Sequence, residues 1–228
     1  MWKGWVLRTM VAEGVVRTRL AEFHLLGTVR GLASEAARVE AAVARLAPDA
    51  VAFGVGPEDL DGLTQFEKGA AYEHDYSESD EVYAHFLAQY GPVELPPRDL
   101  VAGYRAARER GVPTVAVDLP EVAYVEAFTK AISGWQLLRY NRRVRRLARR
   151  PPVADDAMGF HLAWDREVRR LKGFDDLEGQ REAHMAARLL AEPALRGRVL
   201  VLLEAARVEG VLRRLEAAAD TEPVKAQA

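Results

Sequence analysis

Apolar positions along the chain change spacing from segment to segment, and the changes mark out its elements. Val16, Thr18 and Leu20 alternate with Arg17 and Arg19, and Trp5 to Met10 lies on the other side of the turn-compatible Ala12-Glu13-Gly14, which predicts a hairpin or edge strands. Phe23 to Thr28 is a short apolar run ending in Gly-Thr. From Ser34 to Leu46, the residues Ala37, Val39, Ala42, Val43 and Leu46 recur at helical spacing. Pro48-Asp49 stops that helix, and Ala50 to Val55 follows as a buried-type strand. The strand-helix-strand unit predicts a parallel pair with a right-handed crossover.

Leu60 to Arg110 reads as interrupted helix, with Asp80 to Tyr90 capped by Ser79 and Asp99 to Arg110 closed by Gly111. Val112 to Asp118 predicts a third buried strand, and Pro120 can start the next helix. Glu121 to Leu190 is mostly helical, punctuated by Pro151-Pro152, Gly159, Gly173 and Gly179. Arg198 to Leu203 is a further buried strand and Glu204 to Ala218 a final amphipathic helix. The expected fold is α/β, with a mainly parallel central sheet, an N-terminal hairpin or edge strands, and an inserted helical layer over 119–190. One domain is expected over 1–218, with a flexible tail over 219–228.

Composition narrows the classes. With 228 residues, 49% of them hydrophobic and 29% charged, the chain has enough apolar surface for a sizeable core. A formal charge of -2 gives no global basic field that would make nucleic acid or an acidic membrane the default partner. The absence of cysteine excludes disulfides, a thiolate nucleophile and thiolate metal sites. Arg8, Glu13 and Arg17 interrupt the N-terminal apolar residues, and no run approaches the ~18 apolar residues of a membrane span, so a cytoplasmic protein with no membrane partner is expected. Arginine outnumbers lysine and Asn141 is the only asparagine, a thermophile-like bias that a GC-rich genome also produces.

Motifs that carry chemistry are sparse. Gly27-Thr28-Val29-Arg30-Gly31 and Gly54-Val55-Gly56-Pro57 follow strands, but neither has the dinucleotide or P-loop pattern, and ordinary strand-to-helix turns are the better reading. None of the five histidines has metal-ligand spacing; His74, between Glu73 and Asp75, reads as part of a solvated acidic segment. No Gly-x-Ser-x-Gly elbow occurs. The most biased stretch is Trp135 to Arg150, which holds seven arginines and no acidic residue. At helical pitch Arg139, Arg142, Arg143, Arg146 and Arg150 share one side with the other two, opposite Leu137, Tyr140, Val144 and Leu147. Such a face suits phosphates, anionic lipid or an acidic protein. Internal pairing with Glu73, Asp75, Glu78, Asp80 and Glu81 is the favoured alternative, with nucleic acid the less favoured partner.

Four segments in order resemble one family. His24-Leu25-Leu26-Gly27-Thr28-Val29-Arg30 is similar to a strand running into Gly-Thr-x-His. Pro48-Asp49-Ala50-Val51-Ala52-Phe53-Gly54-Val55 is similar to Pro-Asp-x-Val-x-x-Glu-Leu. Asp118-Leu119 stands where a strand ends in Asp-Arg. Gln180-Arg181-Glu182-Ala183-His184-Met185 and Glu204-Ala205-Ala206-Arg207-Val208-Glu209-Gly210-Val211 are similar to Glu-Arg-Asp-x-x-Met and Gly-x-Gly-His-x-x-Gly-Ile. Together they resemble the TraB/PrgY-type family, related in fold to Tiki-type proteases and the erythromycin-esterase/ChaN-like group. The likeness spans roughly residues 22–215, with the middle third unmatched.

Both family histidines fall on arginines, Arg30 and Arg207, and the strand-end glutamate falls on Gly54. A guanidinium stays protonated and has only donors, so it cannot replace a histidine as base or metal ligand. The resemblance therefore implies a degenerate member without the family's metal-dependent hydrolysis: no catalytic residue, no metal and no cofactor. Ligands of open α/β sheets sit beyond the C-terminal strand ends. The expected binding residues are Thr28, Arg30, Asp118, Arg181, Glu182, Glu204 and Arg207, taking an anionic small molecule or peptide through Arg30 and Arg207, or closed by internal ion pairs of equal standing. The alternatives are a hydrolase rebuilt from Asp118, Glu182, Glu58 or His184, and an interaction module using the basic helix. A homodimer is compatible with a helical layer that has apolar edges.

Overall fold

A computed structural model describes residues 12–72 and 77–221. The expected α/β architecture is present. Five strands form one sheet: β1 (Glu13–Arg17), β2 (Ala21–Thr28), β3 (Ala50–Phe53), β4 (Thr114–Ala116) and β5 (Gly197–Glu204). Their order is β1-β2-β5-β3-β4, with β1 antiparallel to β2 and every other pairing parallel. A hairpin is present, but it joins β1 to β2, whereas the expected partners are Trp5 to Met10 and Val15 to Leu20. Its turn lies at Thr18 to Leu20 rather than at Ala12-Glu13-Gly14, because Glu13 and Gly14 pair within the ladder, opposite Leu26 and Leu25. Trp5 to Met10 lies outside the described residues.

Nine helices surround the sheet among the described residues: α1 (Glu35–Leu46), α2 (Pro57–Phe66), α3 (Glu78–Leu87), α4 (Arg98–Arg110), α5 (Glu121–Ala131), α6 (Gly134–Leu147), α7 (Ala157–Arg169), α8 (Lys172–Ala191) and α9 (Ala205–Thr221). Strand β5 shows why the sheet is covered on both faces. Val199, Val201 and Leu203 join Phe23, Leu25, Met185, Leu189, Val208 and Val211, whereas Leu200 and Leu202 join Val39, Val43, Val51, Phe53 and Val101. Side chains two apart share a face, so an unbroken apolar run supplies two cores at once. α8 and α9 cover one face, and α1 and α4 the other.

Several boundaries differ from the sequence reading. β5 inserts between β2 and β3, so the strand-helix-strand unit joins parallel strands that are not neighbours. Val112 to Asp118 contains an edge strand of three half-buried residues, since β4 has a partner on one side only. The cap of α3 is Ser77, whose Oγ accepts from the Asp80 amide at 3.3 Å while Asp80 reaches back to the Ser77 amide, leaving Ser79 buried in the first turn. α9 runs to Thr221, so only the end of the expected tail, 222–228, lies outside the described residues.

The segment between β4 and β5 is mostly helical and holds no strand, as expected, and builds two further apolar clusters beyond the strand ends. One gathers Val29, Leu32, Leu87, Leu147, Phe160 and Trp164, and the other Ala127, Ile132, Leu171, Phe174 and Leu177. These clusters hold α5, α6 and α7 against the chain leaving the sheet. Among the described residues no helix is long and apolar enough to cross a membrane.

Candidate functional site

The parallel strands deliver their ends to one crevice. Beyond β3 and β4, amides continue the ladder from Val117 to the Phe53 carbonyl at 2.9 Å and from Asp118 to the Val55 carbonyl at 3.0 Å, which fixes Asp118 beside the Gly54 turn. A cavity of about 590 Å³ opens there. Arg30, Glu58, Asp59, Asp80, Asp118, Glu121, Arg181 and Glu204 supply its charges, Tyr72, Tyr83 and Tyr124 its aromatic wall, and Val55, Val93, Leu95 and Leu100 part of its apolar lining. That volume suits a small organic ligand.

Four of the seven residues expected at the site line this cavity: Arg30, Asp118, Arg181 and Glu204. The other three are held elsewhere by partners that the sequence reading did not assign. Thr28 is fully buried and its hydroxyl donates to Asp99 Oδ2 at 2.6 Å. Glu182 pairs with Arg169 and with Arg214, the latter at 2.9 Å, and lines a separate shallow groove. Arg207 is only 7% exposed; its Nη1 donates to Asp165 Oδ1 at 2.9 Å and its Nε stands 2.8 Å from Glu178 Oε2. Of the rebuilt-hydrolase candidates, Glu58 and Asp118 line the cavity, but neither Glu182 nor His184 does. Among the described residues no three His, Cys, Asp or Glu side chains cluster so as to hold a metal ion.

Arg30 and Arg207 therefore meet different surroundings. Arg207 sits in a chain of alternating charge that crosses α7, α8 and α9. Asp118 pairs with Arg181, Arg181 with Glu178 at 3.1 Å, Glu178 with Arg207, Arg207 with Asp165, Asp165 with Arg169 at 3.0 Å, and Arg169 with Glu182. The helical repeat sets this up, because Asp165 and Arg169 are one turn apart on α7, as are Glu178 and Glu182 on α8. Although burial disfavours its charge, Arg181 is held well above its usual pKa by Glu178 and Asp118, and it lies over the Tyr124 ring at 5.7 Å. Among the described residues Arg30 has no carboxylate in ion-pair range. Its Nη1 donates to the Gly54 carbonyl at 3.3 Å, while its Nε and Nη2 are buried without a hydrogen-bond partner.

Glu204 is half-buried on the same cavity. Burial alone would raise its pKa, but the positive field of Arg207, Arg30 and Arg181 outweighs burial and holds the carboxyl down at about 2. His161 went unassigned in the sequence. It is buried on α7, its Nδ1 lies 2.8 Å from the Tyr83 hydroxyl, and burial lowers its pKa against the pull of Glu204 and Asp165, so the ring is neutral at pH 7. Burial likewise pushes the Tyr83 phenol up, so it remains an uncharged hydroxyl on the cavity wall. The readable signal was the spacing of His161, Asp165 and Arg169, four residues apart on the helix side that also carries Phe160 and Trp164.

The chain matches no protein-family model and no curated protein.

Proposed function

We propose that this chain is a TraB/PrgY-like domain in which the hydrolytic positions have been replaced, and that its strand-end cavity captures the carboxylate or phosphate of a small molecule or peptide through Arg30. The observation that carries this reading is the pair of unpartnered Arg30 nitrogens beside a cavity of about 590 Å³. Buried donors without acceptors cost about 1–3 kcal/mol each, and an anion seated at Arg30 relieves that cost.

Packing supports loss of the family's chemistry as well as residue identity does. A Cβ at Gly54, where the family carries glutamate, would stand 2.7 Å from Leu203 Cδ2, so this turn has closed over the space an acidic side chain needs. Arg207, already bridging two carboxylates, is taken out of ligand recognition and leaves Arg30 as the anion's partner. Glu58, Asp59, Asp80 and Glu121 line the cavity without an ion-pair partner among the described residues, so a single anionic group is favoured over a polyphosphate.

A thermal-shift panel of phosphate, carboxylates, nucleotides and divalent metals on the wild type and Arg30→Met tests the proposal. A ligand at 100 times its dissociation constant stabilises the fold by about 2.7 kcal/mol. Stabilisation by simple carboxylates or phosphate in the wild type alone is the expected result. Equal shifts in both proteins, or shifts with metals only, would sink it.

A further inference from the structure

We infer that the exposed face of α6, with the turn that follows it, binds the phosphate backbone of single-stranded nucleic acid. This surface is separate from the cavity, whose lining includes no residue of α6. α6 begins at a capping box in which Ser133 Oγ accepts from the Gln136 amide at 3.3 Å, and its inner side is committed to the core. Val144 and Leu147 are buried, and the Tyr140 ring stacks on Phe174 at 4.3 Å between centroids. At 100° per residue the opposite side carries Arg139, Arg142, Arg145, Arg146 and, continued by the turn, Arg149 and Arg150. All six are exposed.

None of these six has an ion pair or hydrogen bond to a described side chain, whereas Arg143, at the edge of the face, is tied to Glu167 at 2.9 Å. Of the expected counter-charges, Asp80 is engaged in the α3 cap and Glu78 and Glu81 make no ion pair with α6, while Glu73 and Asp75 lie outside the described residues. The arginines buried between α7, α8 and α9 differ, because Arg169, Arg181, Arg207 and Arg214 all have carboxylate partners. Subtracting the seven arginines of this segment from the overall -2 leaves the remaining chain at -9, so the positive charge is concentrated on one helix face. Six like charges over ~16 Å of helix repel one another, and a line of phosphates relieves that repulsion.

Two features choose among polyanions. An interfacial membrane helix needs its apolar side free to enter the lipid, but Tyr140, Val144 and Leu147 of α6 are packed on the protein, and of its leucines only Leu137 and Leu138, near its start, are exposed. The outward arc also carries Trp135, 62% exposed, and a flat aromatic beside guanidinium groups fits an unpaired base stacked next to its phosphate. Arginine's planar fork matches phosphate oxygens in pairs.

The test is fluorescence anisotropy of labelled dT20 and rU20 with the full chain over a salt series. If about five arginines engage phosphates, affinity should fall about 100-fold between 50 and 200 mM salt. Combined Arg142→Gln, Arg146→Gln and Arg149→Gln changes should weaken binding at least tenfold and reduce the salt slope by about 2, with an unchanged circular dichroism melt because all three side chains are exposed. Trp135→Ala should weaken single strands more than a duplex of equal length. No binding at 50 mM salt, undiminished binding by the triple variant, or tighter arginine-dependent binding to phosphatidylserine vesicles or poly-glutamate would each overturn the inference.

Discussion

Replacing Arg207 and Arg30 one at a time with methionine separates a structural arginine from one held in reserve for a ligand. Arg207→Met removes the bridge between Asp165 and Glu178, formed at 2.9 and 2.8 Å, at a position 7% exposed. Breaking a buried ion pair costs about 3–5 kcal/mol. Asp165 keeps Arg169 and Glu178 keeps Arg181, so the lower end, about 3 kcal/mol, is expected. In a domain of this size that lowers Tm by about 6–12 °C. Arg30→Met deletes two unpartnered buried donors and gives up one 3.3 Å bond to Gly54, worth about 1 kcal/mol, along with attraction to Glu204. The net expectation is no loss, or a gain of about 1 kcal/mol. Urea unfolding at pH 7, with the slope m compared across the three proteins, gives both numbers. Equal destabilisation by the two variants would refute the reasoning, because it would mean that Arg30 is as well satisfied as Arg207.

Other consequences are independent of the ligand. Glu204 has a folded pKa of about 2, below its ordinary value of 4.5, so its contribution is fully present above pH 4.5 and is lost as pH falls toward 2. The unfolding free energy of the wild type should therefore decline more steeply below pH 4.5 than that of Glu204→Gln, the difference approaching about 1.4 kcal/mol per pH unit, measured by urea titration. Gly210→Ala would set a Cβ 2.0 Å from Glu182 Oε2, forcing Glu182 off Arg169 and Arg214, and should cost about 3 kcal/mol in the same assay. Ala47 is the one described non-glycine residue with positive φ, 46°, where it ends α1; Ala47→Gly should raise stability by about 1 kcal/mol.

What the sequence revealed of the fold follows from how strongly each local signal was coupled to burial. Ala50 to Val55 and Arg198 to Leu203 were legible because parallel strands covered on both faces must be continuously apolar, and β3 and β5 are. Strand order was not legible, since nothing local in the crossover through α1 says whether β2 and β3 touch or leave room for β5 to pair with both. β4 misled for a related reason: Val112 to Val117 has the composition of a buried strand, yet it lies at the edge, and its length was set by a single partner.

The site was legible only as far as topology determines it. Strand ends gather by construction, which is why Arg30, Asp118 and Glu204 meet at one cavity together with Arg181 of α8. The fate of Arg207 was decided by Asp165 and Glu178, on two helices of the unmatched middle of the chain and the segment after it, whose approach no strand rule governs. Both residues stand at helix positions where an apolar side chain would ordinarily face the core. A buried carboxylate is tolerated only with a fixed cation, so each implies an arginine partner by its place on the helix alone. Applied to α7 and α8, that rule demands more positive charge than Arg169 and Arg181 provide, and Arg207 and Arg214 supply the remainder. Arg30 is left over by the same count, a guanidinium with fewer carboxylates than its burial requires, and this imbalance is the physical reason to look for its partner in a ligand.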